Sequence, residues 1–514
     1  MDTPGPDLHQ PDAGLAALRA AAERDPDDSG TVFQLALKCR DAGRSPEAIR
    51  WFQRRLEQGG WVEELWYSML QICLLHQSLG QMKEADEWGR KAFQYRPGRA
   101  EAALALSRIA LDGGRHAMAL LYANMAARTP LSKDVLFVDP AAYGLDPWLV
   151  ISIAAYYAGL PALGIEACEQ VLASREASWE DRNQTRNNAF FYLEPCPGEK
   201  VPFEWTPPPI EGNPAHSYRP MNPSLWFDAE TGRRYGSIRH VNFDTDGGNY
   251  TSLAPDRQVR TRNFWVEWDP AGRILQSFEI IDELDWERIE FPVKGLEDLR
   301  LFHHRGRWKF TCTSYEKTGQ PQMLFGLLAP EPDRSSRRWK VESLRHIQGA
   351  EVRPIEKNWL PFLDSAGELK ILYHSDPTRI GRLDEAAGEL VIESVLSPEW
   401  NGVDFRGSAP PIQFRGGYLY LVHEVAFEEW RRYTHRFVWM DSGYKIQRVS
   451  RPFYFDTQGV EFAMGLVWDG GHLWIGYGWQ DKEARLRRMT EAELDQLWRF
   501  PACASQPSTQ PDPR

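Results

Sequence analysis

The sequence has no run of about 18 apolar residues, so it predicts no apolar membrane-spanning helix. Its opening, Met1-Asp2-Thr3-Pro4-Gly5-Pro6-Asp7, lacks the basic and then apolar regions of a secretory signal, and the expectation is a cytoplasmic protein without membrane insertion. Positive charge is in deficit, with 60 Lys and Arg against 72 Asp and Glu for a net −12, which leaves no basic face for a phosphate backbone and predicts no nucleic-acid partner. Cysteines are few and scattered (Cys39, Cys73, Cys168, Cys196, Cys312, Cys503), without C-x-x-C or a His cluster at zinc spacing. They read as free, buried thiols in a reducing compartment, and no metal is expected. No Walker or Gly-x-Gly-x-x-Gly loop is present, so no cofactor is expected either.

What is present divides the chain. At 514 residues it is long enough for two or three domains. Residues 1–14 and 501–514 are rich in Pro, Asp, Ser and Gln and read as loose tails. Over 15–195 a small-residue signature recurs: Gly43 with Ala48, Gly80 with Ala85, Gly114 with Ala119, Gly159 with Gly164, at glycine intervals of 37, 34 and 45 residues. Apolar residues between these points keep helical spacing, as in Leu65, Met69, Ile72 and Cys73. The pattern resembles tetratricopeptide repeats, helix-turn-helix units with a glycine at the turn and a small residue where the helices touch. Such an array either binds a protein partner or buttresses its neighbour. Residues 181–192 read as a closing helix, and the Pro-rich 196–219 as a stiff linker.

From 220 to 500 the texture changes to short strands rich in Trp, Tyr, Phe, Val and Ile, broken by turns such as Asp269-Pro270-Ala271-Gly272 and Asp469-Gly470-Gly471. Alternation in Trp265-Val266-Glu267-Trp268 and a hairpin at Gly416-Gly417 leading through Tyr418-Leu419-Tyr420-Leu421-Val422 to His423 fit the blades of a β-propeller. At roughly 50 to 55 residues per blade the segment holds five. The predicted fold is therefore an N-terminal α-helical tetratricopeptide-like solenoid followed by a C-terminal five-bladed β-propeller. Trp is abundant, 21 residues, which suits both blade cores and stacking on sugar faces.

Within this part Asn222-Pro223-Ser224, Ser237-Ile238-Arg239-His240, Thr261-Arg262-Asn263, Gly295-Leu296-Glu297-Asp298-Leu299-Arg300, Glu356-Lys357-Asn358, Tyr373-His374-Ser375-Asp376-Pro377, Arg406-Gly407-Ser408-Ala409-Pro410-Pro411, His423 and Gly478-Trp479-Gln480-Asp481 occur in the order that resembles glycoside hydrolase family 130, the mannoside phosphorylases and mannosidases. The resemblance implies Asp298 as catalytic acid, acting through a sugar hydroxyl. It implies Asn222, Arg239, Arg262, Asn263, Arg300, His374 and Asp481 as substrate-binding residues, and Lys357, Arg406 and His423 as the phosphate cluster. Two departures stand out: Leu299 replaces the proline of the Gly-x-Glu-Asp-Pro-Arg signature, and Tyr373-His374-Ser375-Asp376-Pro377 stands where phosphorylases tend to carry Leu-His-Arg-Pro, so a cation is missing.

Inverting hydrolysis needs a carboxylic acid and a second carboxylate, whereas phosphorolysis needs the acid and cations for phosphate. Fructosidase-type propellers would show Asn-Asp-Pro and Arg-Asp-Pro segments, and WD repeats Trp-Asp pairs at a regular period; the former are absent from the strand-rich part, where Trp-Asp occurs at Trp268-Asp269 and Trp468-Asp469 alone, without such a period. The expected activity is transfer of a mannosyl or related hexosyl unit at the propeller mouth. Pairing of the propeller with helical repeats resembles bacterial glycosyltransferases and puts a glycosyltransferase first, a β-mannoside phosphorylase or glycoside hydrolase second, and a non-catalytic sugar-binding scaffold third. The expected partners are an oligosaccharide or glycan substrate and a protein met by the repeats, with inorganic phosphate or an activated sugar as co-substrate.

Overall fold

The recurring glycines mark the turns of helical hairpins. In the computed structural model, which describes residues 11–246, 249–283, 293–315, 321–331, 338–349, 357–428 and 430–498, the chain forms two compact units, 1–192 and 193–514. Residues 1–10 and 499–514, most of the two expected tails, and Cys503 lie outside the described residues. Residues 11–14, expected in the N-terminal tail, already belong to a helix: alanines and leucines follow, and helix propagation needs little else.

The first unit contains α1 (Pro11–Arg24), α2 (Ser29–Asp41), α3 (Ser45–Gln58), α4 (Val62–Ser78), α5 (Met82–Tyr95), α6 (Ala100–Asp112), α7 (His116–Arg128), α8 (Asp146–Tyr157), α9 (Pro161–Ala173) and α10 (Trp179–Ala189). Helices α2 to α9 pack as four successive hairpins. Gly43, Gly80, Gly114 and Gly159 sit in the turns at φ of 70°, 72°, 67° and 69°, the left-handed conformation that ends a helix and that glycine adopts without strain. Ala48, Ala85 and Ala119 are fully buried where the paired helices meet. The longer third interval is an extended stretch after α7. Glu63 accepts the N–H groups of Val135 and Leu136, and Arg99 donates to the carbonyls of Leu136 and Phe137. Ser178 caps α10 reciprocally with Asp181.

The second unit holds five successive four-stranded antiparallel sheets. The first is built from Arg219–Asp228, Arg233–Val241, Val259–Trp268 and Ile274–Ile281, the second from Glu297–His304, Arg307–Tyr315, Pro321–Pro330 and Arg338–His346. Their outer strands pair in parallel, Arg338 to Lys340 along Glu279 to Ile281, which merges the two into one larger sheet. The third contains Leu360–Leu363, Leu369–Ser375, Thr378–Asp384 and Glu389–Leu396, and the fourth Ile412–Phe414, Gly417–Phe427, Arg431–Met440 and Ile446–Val449, with Arg406–Gly407 beside it. The fifth, Glu461–Asp469, His472–Trp479 and Glu483–Thr490, takes its outermost strand from Glu199–Val201. Part of the stretch expected as a linker is thus sheet, because Glu199, Lys200 and Val201 satisfy their backbone groups against Leu486, Arg487 and Arg488.

Separate apolar cores join neighbouring sheets. Tyr418, Tyr420 and Val422 face the third sheet's Leu360, Phe362 and Leu372, while Leu419 and Leu421 face Leu466, Leu473 and Ile475 of the fifth. A strand buried on both faces needs no polar alternation, which is why this segment reads as a continuous apolar run. A further core of Leu225, Ile238 and Phe264 with Val467, Trp474 and Leu486 packs the fifth sheet against the first. The five described cysteines are buried and unbridged. No helix among the described residues is long and apolar enough to cross a membrane.

Candidate functional site

The inner ends of the five sheets meet at a cavity of about 180 Å³ lined by Asn222 and Arg239 from the first sheet, Glu297 and Asp298 from the second, Lys357 and Asn358 ahead of the third, Arg406, His423, Arg431 and Tyr433 around the fourth, and Phe462 and Asp481 from the fifth. Its walls are unusual in their backbone. Asn222 (φ 47°), Asp298 (52°), Asn358 (66°) and Asp481 (51°) all hold the left-handed conformation, which costs a non-glycine residue free energy and accumulates at functional sites. Two of these positions coincide with sheet irregularities, between Met221 and Ser224 and between Glu297 and Arg300; a bulge re-aims a side chain toward a cavity. Gly295, at φ 108°, makes the turn into Glu297-Asp298, where a Cβ would stand 2.4 Å from the Thr261 carbonyl oxygen.

Asp298 is held by two donors: Asn222 Nδ2 at 2.9 Å and Arg239 Nη1 at 3.1 Å, both to Oδ1. Arg239 also donates from Nη2 to Glu297 Oε1 at 2.8 Å. Burial alone would raise the Asp298 carboxyl, but Arg239, Arg300, the Asn222 amide and Lys357 outweigh it and hold it below the usual carboxylate range. Asp481 moves the other way. Burial lifts it to about 6 against the pull of Arg239, and the charges on Asp298 and Glu297 add to the rise. His423 is buried, and burial, with His435, Arg406, Lys357 and Arg300 nearby, pushes it well below its ordinary range, so its imidazole is neutral. It can offer a hydrogen bond to an anion but no charge.

A second cavity of about 430 Å³ adjoins the first, lined by His374, Tyr373, Ser375, Leu372, Phe405 and Phe427 together with Lys357, Asn358, Arg406 and Arg431, which line both. Lys357, Arg406 and Arg431 are exposed, and these three cations are the groups placed to hold an anion at the junction.

Of the residues singled out from sequence, Asn222, Arg239, Asp298, Lys357, Arg406, His423 and Asp481 share the first cavity and His374 the second. Arg300 lies behind it, buried, donating to the Ser408 carbonyl at 3.2 Å and toward the Asp298 backbone. Arg262 and Asn263 are not brought in. Asn263 donates to the Leu296 carbonyl at 2.8 Å and so braces the turn before Asp298. Arg262 pairs with Glu279 at 2.6 Å and Glu211 at 2.9 Å at a different cavity, because consecutive strand residues point to opposite faces. Residues not selected from sequence are Glu297, Asn358, Arg431, Tyr433 and Phe462. Glu297 and Asn358 stood inside quoted motifs; Arg431 and Tyr433 carry no local signal.

No protein-family model matches the chain, and no curated protein does. Among solved structures it is similar to β-1,2-mannobiose phosphorylase from Listeria innocua in its β-1,2-mannobiose complex, at 15% identity over 58% of this chain and 96% of the other, TM-score 0.37. It is also similar to a structure from the family 130 of mannoside phosphorylases and of glycoside hydrolases that target β-1,2 mannosidic linkages in Candida mannan, at 14% identity over 57% and 94%, TM-score 0.39. A structure of MamA matches at 14% identity over 35% of this chain and 92% of its own, TM-score 0.26.

Proposed function

We propose that the protein is a carbohydrate-active enzyme that breaks a glycosidic bond in an oligosaccharide, as a phosphorylase or hydrolase of β-mannosides or a related hexoside, with the five sheets acting as the blades of a propeller and the cavity at their inner ends as its mouth. The observation that carries the reading is one cavity in which Asp298 and Asp481 stand with Lys357, Arg406 and Arg431. Two carboxyl groups supply acid and base for water as nucleophile, and the cations supply a seat for phosphate. The same set puts glycosyl transfer from an activated donor, first in the reading from sequence, behind cleavage by phosphate or water. No resident cofactor is invoked.

Asp298 supplies the fixed negative charge, and Arg239 and Asn222 hold its orientation. Asn222, Arg239, His374 and His423 are read as contacts to the sugar, with Arg300 as a positioning residue behind them. The helical unit is read as tetratricopeptide-like, the part that meets a protein partner or the polymer, and the protein as cytoplasmic. The test is a panel of β-linked manno- and gluco-oligosaccharides with and without inorganic phosphate, read as sugar 1-phosphate and as new reducing ends. Sugar 1-phosphate formed only with phosphate assigns a phosphorylase, and reducing ends without it a hydrolase. Nucleotide release from nucleotide sugars with no cleavage in either arm would return the transferase.

A further inference from the structure

Residues 131–139 of the helical unit run extended between α7 and the short 3-10 turn Pro140–Tyr143, and their exposure alternates. Leu131, Lys133, Val135 and Phe137 face outward, Val135 being 82% exposed, while Ser132, Asp134, Leu136 and Val138 are half-buried. The inward row is received by α4, α6 and the turn between α5 and α6. Asp134 takes Arg96 Nη2 on one oxygen and Arg99 Nη1 on the other, both at 2.8 Å. Glu63 Oε2 accepts the Val135 and Leu136 N–H groups at 3.1 and 2.8 Å, Arg99 donates to the Phe137 carbonyl at 3.1 Å, and Glu101 accepts the Asp139 N–H at 3.1 Å. Leu136 packs on the core that holds Trp66 and Tyr67. Side chains of the helices thus satisfy the backbone of a strand-like segment, as a receptor does for an extended peptide.

The segment fits this face incompletely. At Phe137 its backbone turns left-handed (φ 45°), a conformation that costs a non-glycine residue free energy, and the ring lies on Tyr67 with centroids 4.5 Å apart. Where the chain turns, a cavity of about 440 Å³ opens between Phe137 and Val138 on one side and Leu70, Leu74, Leu104 and Ala105 of α4 and α6 on the other. The buried Nη1 of Arg96 has no acceptor among the described residues. Two guanidinium groups converge on the Asp134 carboxylate, and the other acids at this face are engaged: Glu101 with the far edge of Arg99 and the Tyr143 hydroxyl, Glu63 with the two N–H groups.

We infer that this face of the helical unit is a receptor for an extended segment of a partner protein carrying Asp or Glu, any residue, Leu and then a bulky apolar residue, and that residues 131–139 are the chain's own occupant, which such a segment displaces. The inference rests on the reading of the helical unit as the part that meets a partner, and it is independent of glycoside cleavage. The incoming acid takes Arg96 and Arg99, the incoming backbone takes Glu63 and the remaining donor of Arg99, and the leucine takes the seat of Leu136. The apolar residue after it enters the cavity from which the internal segment turns away. The tether gives the internal segment a high effective concentration, which a partner must overcome. Relief of the strain at Phe137 and filling of the cavity are what the partner gains in exchange.

The probe is a fluorescein-labelled peptide with the sequence of residues 131–139, Leu-Ser-Lys-Asp-Val-Leu-Phe-Val-Asp, and a control with Asn at its fourth position. Binding is read as anisotropy on the full chain, wild type and Asp134→Lys; the latter sets a cation against Arg96 and Arg99 and so frees the face. Asp134→Lys should bind the peptide at least about 10-fold more tightly than the wild type, in which only the fraction with its own segment released is competent. The control peptide should bind that variant about 10-fold more weakly, the worth of a hydrogen bond to a charged group, and Arg96→Ala added to Asp134→Lys should weaken the parent peptide by a similar factor. Equal affinity in wild type and Asp134→Lys, or no binding to the folded variant, overturns the inference. Should Asp134→Lys fail to fold by circular dichroism, hydrogen exchange in the wild type decides: excess peptide should speed exchange of the Val135 and Leu136 amides several-fold, and unchanged rates overturn it. Binding indifferent both to the Asn control and to Arg96→Ala would keep a partner role for the helical unit and overturn this face as its seat. Wild-type dimers that form with rising concentration and are lost in Arg96→Ala would seat the segment of a second copy there and overturn the external partner. Loss of the cleavage reading would change none of these outcomes.

Discussion

Asn222 Nδ2 donates to Asp298 Oδ1 across 2.9 Å, joining the innermost strands of the first and second sheets through two residues that both hold left-handed backbones. The bond also depends on a third sheet: a Cβ at Gly478 would lie 2.1 Å from Asn222 Oδ1. The carboxylate's position is therefore set by three sheets, and the energy stored in those strained residues is supplied by the cores that press the sheets together.

Replacing Gly478 by alanine is expected to push Asn222 off Asp298. Overpacking of this kind costs about 1–3 kcal/mol, which denaturant unfolding of the protein should show, together with a fall in turnover larger than the stability loss explains. Wild-type kinetics in a folded Gly478→Ala protein would show that the Asn222–Asp298 bond does not matter for the reaction.

Asp298→Asn should lower kcat by about 10²- to 10⁴-fold with the melting temperature nearly unchanged, since the amide keeps the shape and loses the charge that Arg239 faces. Circular dichroism and steady-state rates on the same preparation check both halves.

Arg406→Ala should raise KM for phosphate about 10- to 100-fold, the worth of one hydrogen bond to a charged group, and leave the KM for the glycoside nearly unchanged. An equal rise in both constants would mean that Arg406 contacts the sugar.

Acid should destabilise the second unit through its buried imidazoles. His240 and His435 are held by burial at about 3 in the folded protein, and His423 lies well below its ordinary range. Unfolding lets each bind a proton below about 6.5, so stability falls as pH drops through that value, by about 2 kcal/mol per histidine at pH 5. Asp481 acts in the opposite sense: its raised midpoint favours the folded state at low pH and that contribution is lost as pH rises through 6. Three groups outweigh one, and thermal melts should show a lower midpoint at pH 5 than at pH 8.

Much of the chain's organisation was legible because its signals are local. Glycines at helix ends and small residues at helix contacts announce the hairpins of the first unit, and Gly or Pro turns between alternating strands announce the sheets. Asp298, Asn222 and Asp481 were visible as polar residues beside such turns. Arg262 was misplaced because a motif read as a block ignores the alternation of faces that sends it to Glu279 while Asn263 goes to Leu296. Arg431 and Tyr433 were invisible, since only the pairing of Arg431–Met440 with Gly417–Phe427 carries them to the cavity. The strand at Glu199–Val201 was unreadable for the same reason: its partners lie at the other end of the unit, and nothing in Pro-rich surroundings signals them.

That last pairing has a consequence for how the protein is made. Arg488 and Glu199 are in contact although they lie 289 residues apart in the chain. On the ribosome, the fifth sheet stays incomplete until almost the whole unit has been synthesised, and Glu199–Val201 waits with its backbone groups unpaired. A nascent chain paused in the last strand exposes two open sheet edges at once, the condition under which strands pair with the wrong neighbour, so slow translation or stalling near residue 480 should favour aggregation over folding.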